Sequence, residues 1–450
     1  MTTALVYGLG IAGRSAIGAL TRRGWSVLAT DDVLDDDARR QAGELGADVI
    51  DAVDVGEALG DVDTVVPAPG VPETHPLFAA AAEAGSVVVS EIELAYRFEQ
   101  ERAGGPRPML AVTGTDGKTT TTLLAAAMLE AAGRRPIVAG NTDVTLLEAL
   151  DLDIDVFVVE ASSFRLRWTE QFRSEAAVWL NFAEDHLNWH ESMASYEAAK
   201  SRIFSLQGPS DTAIGFVDDD VVMRHVRRAP GPQRSFGLTG ADYRIQHEAL
   251  WGPGGELAPL TTMGRCLPHD LTNALAAAAL TIETGLATSA AVAGAVGDFR
   301  GPAHRLELVA DHGGVRWFDD SKATTPHAAS VAMAAFDRVV LIAGGLNKGL
   351  DLGPMARQAH RVRAVVAIGQ DAADIAAVFH GHCPVIVAED MGVAVDRAAE
   401  LVRPGDVVLL SPGCASFDWY TGYAARGDDF RHRVEALGGL VDPSTQGAPT

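Results

Sequence analysis

The chain has 450 residues with 36 basic against 60 acidic side chains, and its net charge of −24 opposes binding to nucleic acid or to an anionic membrane surface. Hydrophobic residues make up 47% and no apolar run approaches the roughly 20 residues a membrane span needs, so a soluble globular protein of about three domains is expected. Cys266, Cys383 and Cys414 are odd in number and widely spaced, which suggests neither a disulfide framework nor a zinc site and fits a reducing cytoplasm. Residues 1–30 lack the basic region, long apolar core and small-residue cleavage site of a signal peptide.

Short apolar strands expected at 4–8, 26–30, 64–67 and 86–90 alternate with helical stretches, the βαβ pattern of a doubly wound parallel sheet. Gly8-Leu9-Gly10-Ile11-Ala12-Gly13 follows the first strand and opens a helix, and Asp31 ends the second strand about 20 residues on, as in a dinucleotide fold. Such a turn lets backbone approach a phosphate or pack tightly; it does not by itself require a nicotinamide. Ala68-Pro69-Gly70-Val71-Pro72 is a rigid turn at the carboxyl edge of the same sheet, where ligands bind. The charged, Gly/Pro-rich stretch 101–108 is the first expected boundary.

The run from Met109 to Thr120 then reads as a buried strand, a glycine loop and a helix start, with the helix expected over 121–132. In Gly114-Thr115-Asp116-Gly117-Lys118-Thr119-Thr120, the loop N–H groups, the helix dipole and the Lys118 ammonium converge where β and γ phosphates belong, and Thr119 offers a hydroxyl to Mg2+. The strict P-loop has a glycine where this chain has Val112, so the spacing is a variant. Strands follow at 136–139, 156–159 and 176–181. Residues 229–266 suggest a small antiparallel excursion before an alanine-rich helix at 271–284. A second boundary is expected near Phe299-Arg300-Gly301-Pro302, then strands at 339–343, 364–368, 385–387 and 407–411, and a disordered tail at 441–450.

Glu160 ends a strand beside the glycine loop, where a hard-oxygen Mg2+ ligand belongs. By spacing alone His186, in Asn181-Phe182-Ala183-Glu184-Asp185-His186, is equally a surface histidine, and Lys200 equally an exposed helix lysine. Further motifs follow in order: His269-Asp270-Leu271-Thr272-Asn273, His304-Arg305, Asp319-Asp320-Ser321-Lys322-Ala323-Thr324, Gly344-Gly345-Leu346-Asn347-Lys348-Gly349, and Ser411-Pro412-Gly413-Cys414-Ala415-Ser416-Phe417-Asp418 with Tyr423 and Arg426-Gly427.

Taken together and in this order, these motifs resemble the Mur ligases, ATP-dependent enzymes that build the peptidoglycan stem peptide. The resemblance covers nearly the whole chain and implies an α/β fold of three domains: an N-terminal Rossmann-like domain for the UDP substrate (1–103), a central P-loop ATPase-like domain (107–298) and a C-terminal Rossmann-like domain for the amino acid (299–440). It implies ATP bound by Gly114 to Thr120, Asn273, Arg305 and Asp320, and two Mg2+ ions held by Thr119, Glu160, His186 and Lys200. Lys200 would be carboxylated by CO2 to a carbamate, which turns a cation into an oxygen donor. Asp270 replaces an asparagine of the family, and because a carboxylate only accepts, Asn273 is the residue assigned to adenine.

By the same resemblance Lys118, His186 and Lys200 are catalytic, and Gly10, Ile11, Ala12, Asp31, Asp32, Gly70 and Asn141 face the UDP substrate. Lys322, Thr324, Lys348, Ser416, Phe417 and Tyr423 hold the amino acid. The C-terminal loops are most similar to those of the family's D-glutamate-adding branch. The implied activity is addition of D-glutamate to UDP-N-acetylmuramoyl-L-alanine through an acyl phosphate, by a cytoplasmic monomer acting on small molecules, without nucleic acid or membrane insertion. Departures cluster at Ala12, Asp32-Val33 and Ala68, where the family has a hydroxyl residue, a Thr-Arg pair and a serine. Rival readings are a sister ligase using L-glutamate, another amino acid or another acceptor such as folate, a nicotinamide oxidoreductase, and a non-catalytic nucleotide-binding protein.

Overall fold

Runs of Val, Leu, Ile and Ala too short for helices become strands buried on both faces, and they set the frame of the molecule. The computed structural model describes residues 2–438, and the tail expected at 441–450 lies outside them. The chain divides into two compact units, Met1–Phe299 and Arg300–Thr450. In the first unit β1 (Thr3–Tyr7), β2 (Ser26–Thr30), β3 (Asp48–Val49), β4 (Thr64–Pro67) and β5 (Val87–Val88) form a parallel sheet of order β3-β2-β1-β4-β5. The order reverses at β1, so the carboxyl ends of β1, β2 and β4 open a crevice. The glycine turn after β1 leads there into the helix Ile11–Arg22, and Gly13 packs against the Gly8 carbonyl with no room for a side chain.

The same unit holds a second parallel sheet: β6 (Met109–Thr113), β7 (Pro136–Gly140), β8 (Val156–Glu160), β9 (Ala176–Trp179), β10 (Thr212–Phe216) and β11 (Gln233–Phe236), in the order β11-β10-β9-β6-β8-β7. Its central strand β6 is flanked by β8 and β9, and Leu110, Ala111 and Val112 are fully buried. The helices Lys118–Ala131 and Pro268–Ile282 cover one face through Leu124, Ala125, Leu129, Ala274 and Leu275. Part of the antiparallel excursion expected at 229–266 behaves otherwise. β11 joins the central sheet in parallel because Phe236 buries against that core; only β12 (Arg244–Gln246), β13 (Ala249–Gly252) and β14 (Gly255–Pro259) make the small antiparallel sheet.

In the second unit β15 (Glu307–His312), β16 (Val315–Asp319), β17 (Val339–Gly344), β18 (Val362–Ile368), β19 (Val385–Val387) and β20 (Val407–Leu410) are ordered β15-β16-β20-β17-β18-β19. All neighbours are parallel except the β15–β16 hairpin, which turns through Gly313 and Gly314, both at positive φ. A register shift at Leu308 to Ala310 breaks the alternation of β15, which is why the hairpin is not evident from the sequence pattern. No helix among the described residues is long and apolar enough to cross a membrane.

Candidate active site

β6 ends at Thr113 and the chain turns through Gly114 and Gly117, both at positive φ, into the helix that Lys118 begins. A Cβ at Gly117 would stand 2.6 Å from Asn273 Oδ1, so only glycine lets the loop lie against the alanine-rich helix. The loop is braced by Asn181, just beyond β9. Its Oδ1 accepts from the N–H groups of Thr115 and Asp116, both at 2.9 Å, and its Nδ2 donates to Asp116 O at 3.2 Å. Beside it Leu180, Asn181, Phe216, Phe236, Thr272 and Asn273 line a cavity. Asn273 Oδ1 also accepts from the Thr121 hydroxyl at 3.3 Å. Asp270 is engaged by Arg265 at 2.7 and 2.6 Å, as a helix-start carboxylate.

Two lysines meet on one carbonyl. Lys118 Nζ donates to Gly114 O at 2.9 Å and to Thr115 O at 2.8 Å, while Lys200 Nζ donates to the same Gly114 O at 2.6 Å. Lys200 is buried, over the Tyr196 ring at 4.7 Å, on the helix Met193–Ser201. Burial, reinforced by the Lys118 ammonium, drives its amine well below the usual lysine range. Tyr196 Oη in turn lies 3.2 Å from Thr115 Oγ1, so the lysine helix and the glycine loop are joined.

Glu160 ends β8 beside the end of β6 and is 2% exposed. Its Oε1 accepts from Asn141 Nδ2 at 3.0 Å, whereas Oε2 is buried without a hydrogen-bond partner among the described residues. An unsatisfied buried carboxylate oxygen fits a hard cation. His186, at φ 56°, packs on Phe164 and is pulled down to about pKa 4 by burial, against the opposing pull of Asp185 and with Lys118 and Lys200 adding to it. A neutral imidazole at physiological pH is the form that ligates a metal. The unsatisfied Glu160 oxygen and a neutral His186 imidazole thus fit a divalent cation, whereas the Lys200 amine is no hard donor and would serve one only after conversion to an oxygen donor.

At the edge of the first sheet, Asp31 accepts from the N–H of Leu9 at 2.7 Å and of Val33 at 3.2 Å, which fastens the glycine turn. Asp32 accepts from the Tyr7 hydroxyl at 2.5 Å and lies 3.3 Å from His75 Nε2. Gly10 caps the helix, Ile11 is exposed, Ala12 is buried, and Gly70 sits in the turn after β4. Asn141 keeps different company: its Nδ2 donates to Glu160 Oε1 and its Oδ1 accepts from Arg165 Nη1 at 2.7 Å. The loop after β4 is riveted to the His186 segment by Glu73, whose carboxylate takes the N–H of Glu191 at 2.6 Å and the hydroxyl of Ser195 at 2.5 Å and faces His190 at 3.3 Å.

In the second unit Asp320 is buried, accepts from Ser411 Oγ at 2.8 Å and from Leu306 N at 3.2 Å, and is pushed up to about pKa 7 by burial. Arg305 lies in the same loop, next to His304, which is hydrogen-bonded to Asp319 at 2.7 Å. Lys322 Nζ reaches Tyr423 Oη at 3.2 Å, and Lys348 Nζ stands 5.1 Å over the Phe417 ring. Thr324 follows Lys322 on the same turn, and Ser416 is buried next to Phe417. Cys414 is buried, with its thiol raised to about 12 by burial, so it is no nucleophile.

Residues 112–281 match the Mur ligase middle domain and residues 304–414 match the Mur ligase glutamate ligase domain. The UDP-N-acetylmuramoylalanine--D-glutamate ligase of Frankia casuarinae is 43% identical, over 97% of this chain and 94% of that protein. The chain belongs to the Mur ligase family. The enzyme of the same name from Streptomyces coelicolor is 39% identical to this Mur ligase, over 96% of this chain and 98% of that protein. The fold is similar to that of UDP-N-acetylmuramate-alanine ligase from Thermotoga maritima (TM-score 0.59, 17% identity, covering 97% of this chain and 100% of that one). It is also similar to MurF ligase from the same organism in complex with ADP (TM-score 0.56, 16% identity, covering 84% and 96%).

Several residues of this Mur ligase escape a reading by motif. Asn181 opens the Asn181–His186 segment and Tyr196 stands one turn before Lys200, yet their roles as loop braces depend on which elements lie beside β6. Glu73 and Arg165 belong to no motif, and only their burial in the folded structure singles them out.

Proposed function

We propose that this Mur ligase adds D-glutamate to UDP-N-acetylmuramoyl-L-alanine with cleavage of ATP to ADP and phosphate, in peptidoglycan precursor synthesis. The amino acid and acceptor rest on the name borne by relatives aligned along nearly the whole chain. The chemistry rests on one observation: Lys118 and Lys200 meet on Gly114 O at the positive end of a helix. An oxygen of the alanyl carboxylate attacks the γ-phosphorus, the bond to ADP breaks, and the negative charge of the transferring group is met by Lys118 and the loop N–H groups. The glutamate amine then attacks the acyl phosphate, phosphate leaves with the bonding pair, and the amine gives up its proton.

Thr119, Glu160, His186 and carbamylated Lys200 would hold two Mg2+ ions, which when bound supply Lewis-acid neutralisation of phosphate oxygens. Forming the carbamate requires an unprotonated amine, and the burial of Lys200 beside Lys118 favours one. Gly114, Thr115, Asp116, Gly117, Thr120, Asn273, Arg305 and Asp320 are assigned to ATP. Gly10, Ile11, Ala12, Asp31, Asp32, Gly70 and Asn141 are assigned to the UDP group, and Lys322, Thr324, Lys348, Ser416, Phe417 and Tyr423 to the amino acid. The corresponding domains are 1–103, 107–298 and 299–440, the chain acts as a monomer, and three free cysteines suit a cytoplasmic setting.

The test is ATP- and Mg2+-dependent phosphate release with UDP-N-acetylmuramoyl-L-alanine and D-glutamate, L-glutamate or no amino acid. Release with D-glutamate alone is the expected result. Release only with another amino acid or another acceptor would make the chain a sister ligase.

A further inference from the structure

The six residues assigned to the amino acid lie on three loops and one helix start of the second unit, all beyond the carboxyl ends of β16, β17 and β20. A single side chain joins them. Arg426, 1% exposed, is one turn into the helix Tyr423–Ala436. Its Nε donates to Ser321 Oγ at 3.0 Å, and its Nη2 to Ser321 O at 2.9 Å and Cys414 O at 3.2 Å. Its Nη1 donates to Cys414 O at 3.2 Å, and to Gly344 O and Ala415 O at 3.4 Å. The Ser321 hydroxyl in turn donates to Tyr423 O at 2.8 Å.

All of these acceptors are neutral oxygens, so the buried guanidinium acts as a brace. Its planar fork of five donors suits that role, which a lysine could not fill. Burial draws the guanidinium down to about 10, opposed by Asp418 and Asp319, so it stays charged at neutral pH. Charged donors hold carbonyls more strongly than neutral ones. The loops have weaker ties of their own: Leu346 and Ala415 exchange two hydrogen bonds, and Gly413 N–H donates to Ala323 O. Without Arg426 they would remain folded and lose registration with one another.

We infer that Arg426 is the positioning residue of the amino-acid site, setting Lys322 and Thr324, Lys348, and Ser416 and Phe417 in register without touching the amino acid. This inference rests on the reading above that these residues hold the glutamate. The loops it gathers carry two ammonium groups over aromatic rings, Lys322 4.8 Å above Tyr423 and Lys348 5.1 Å above Phe417, which matches an amino acid bearing two carboxylates.

The experiment is Arg426→Lys in the full chain, with melting temperature, hydrogen exchange of the ligand-free protein and three separate KM values. The expected result is a folded protein with faster exchange in 321–324, 345–348 and 414–417 but not in β17. Its KM for D-glutamate should rise about tenfold or more, with KM for ATP and for the UDP acceptor within about twofold and kcat at saturation largely kept. A folded variant with unchanged KM for D-glutamate, or one in which all three KM values rise together, would overturn it. Should the variant fail to fold, Ser321→Ala removes the Nε acceptor and the link to Tyr423, and the same selective rise, smaller in size, must appear. If the wild type releases no phosphate with D-glutamate, the functional reading fails by itself; unchanged loop exchange in Arg426→Lys would then still refute the positioning role.

Discussion

Burial and a neighbouring ammonium act on Lys200 in the same direction, toward the neutral amine. The unfolded chain binds a proton there up to its ordinary value of 10.5 and the folded chain does not, so protonation favours the unfolded state and stability rises with pH through this window. Lys200→Met in CO2-depleted buffer should therefore melt higher than the wild type at pH 7, with the gap closing as pH approaches 10. With CO2 present, its turnover should fall by about 100-fold or more relative to the wild type, since a charge-stabilising group of the site is gone. Wild-type turnover, or a melting-temperature gap that does not change with pH, would show that the residue is an ordinary helix lysine. The sequence alone left that bland reading open, because nothing in Tyr196-Glu197-Ala198-Ala199-Lys200 says which face of the helix meets the glycine loop.

At the level of elements, the glycine loop shows how a motif depends on support from elsewhere. Two of its N–H groups donate to Asn181, a residue 65 and 66 positions away in the chain, and this fixes the course of the loop that leads into Lys118 and Thr119. Asn181→Ala should raise the KM for ATP about tenfold while shifting the melting temperature little, because the helix Lys118–Ala131 and β6 keep their own packing. Equilibrium binding of an ATP analogue checks this; an unchanged affinity would mean that the loop is self-supporting. Strand-loop-helix was readable from Met109 onward through its apolar run and glycines. The brace was not, since β9 becomes the neighbour of β6 only when the parallel sheet assembles. The same holds for β11, whose Phe236 joins the central core instead of the antiparallel excursion.

For the molecule as a whole, each unit carries its own apolar core. In the second, Val340, Ile342, Val366, Val408, Leu410 and Phe430 pack together around a six-stranded sheet. A fragment of residues 300–450 should accordingly fold by itself and melt in one cooperative transition followed by circular dichroism. A featureless melt would mean that its stability depends on residues before 300. The two units divide between Phe299 and Arg300, next to Gly301-Pro302, a pair that ends regular structure.

By itself the sequence determined the alternation of strands and helices, the glycine loops and the order of the chemical motifs, because each is written in consecutive residues whose conformational preferences are local. Only the tertiary structure decided which side chains share a carbonyl, which carboxylate oxygen is left unsatisfied and which arginine gathers three loops. Those facts follow from contacts between distant segments: Gly114 with Lys200, Glu160 with Asn141, Arg426 with Ser321, Gly344 and Cys414. Burial sets the proton affinity of Lys200 and Asp320, and burial is a property of packing that no residue carries alone.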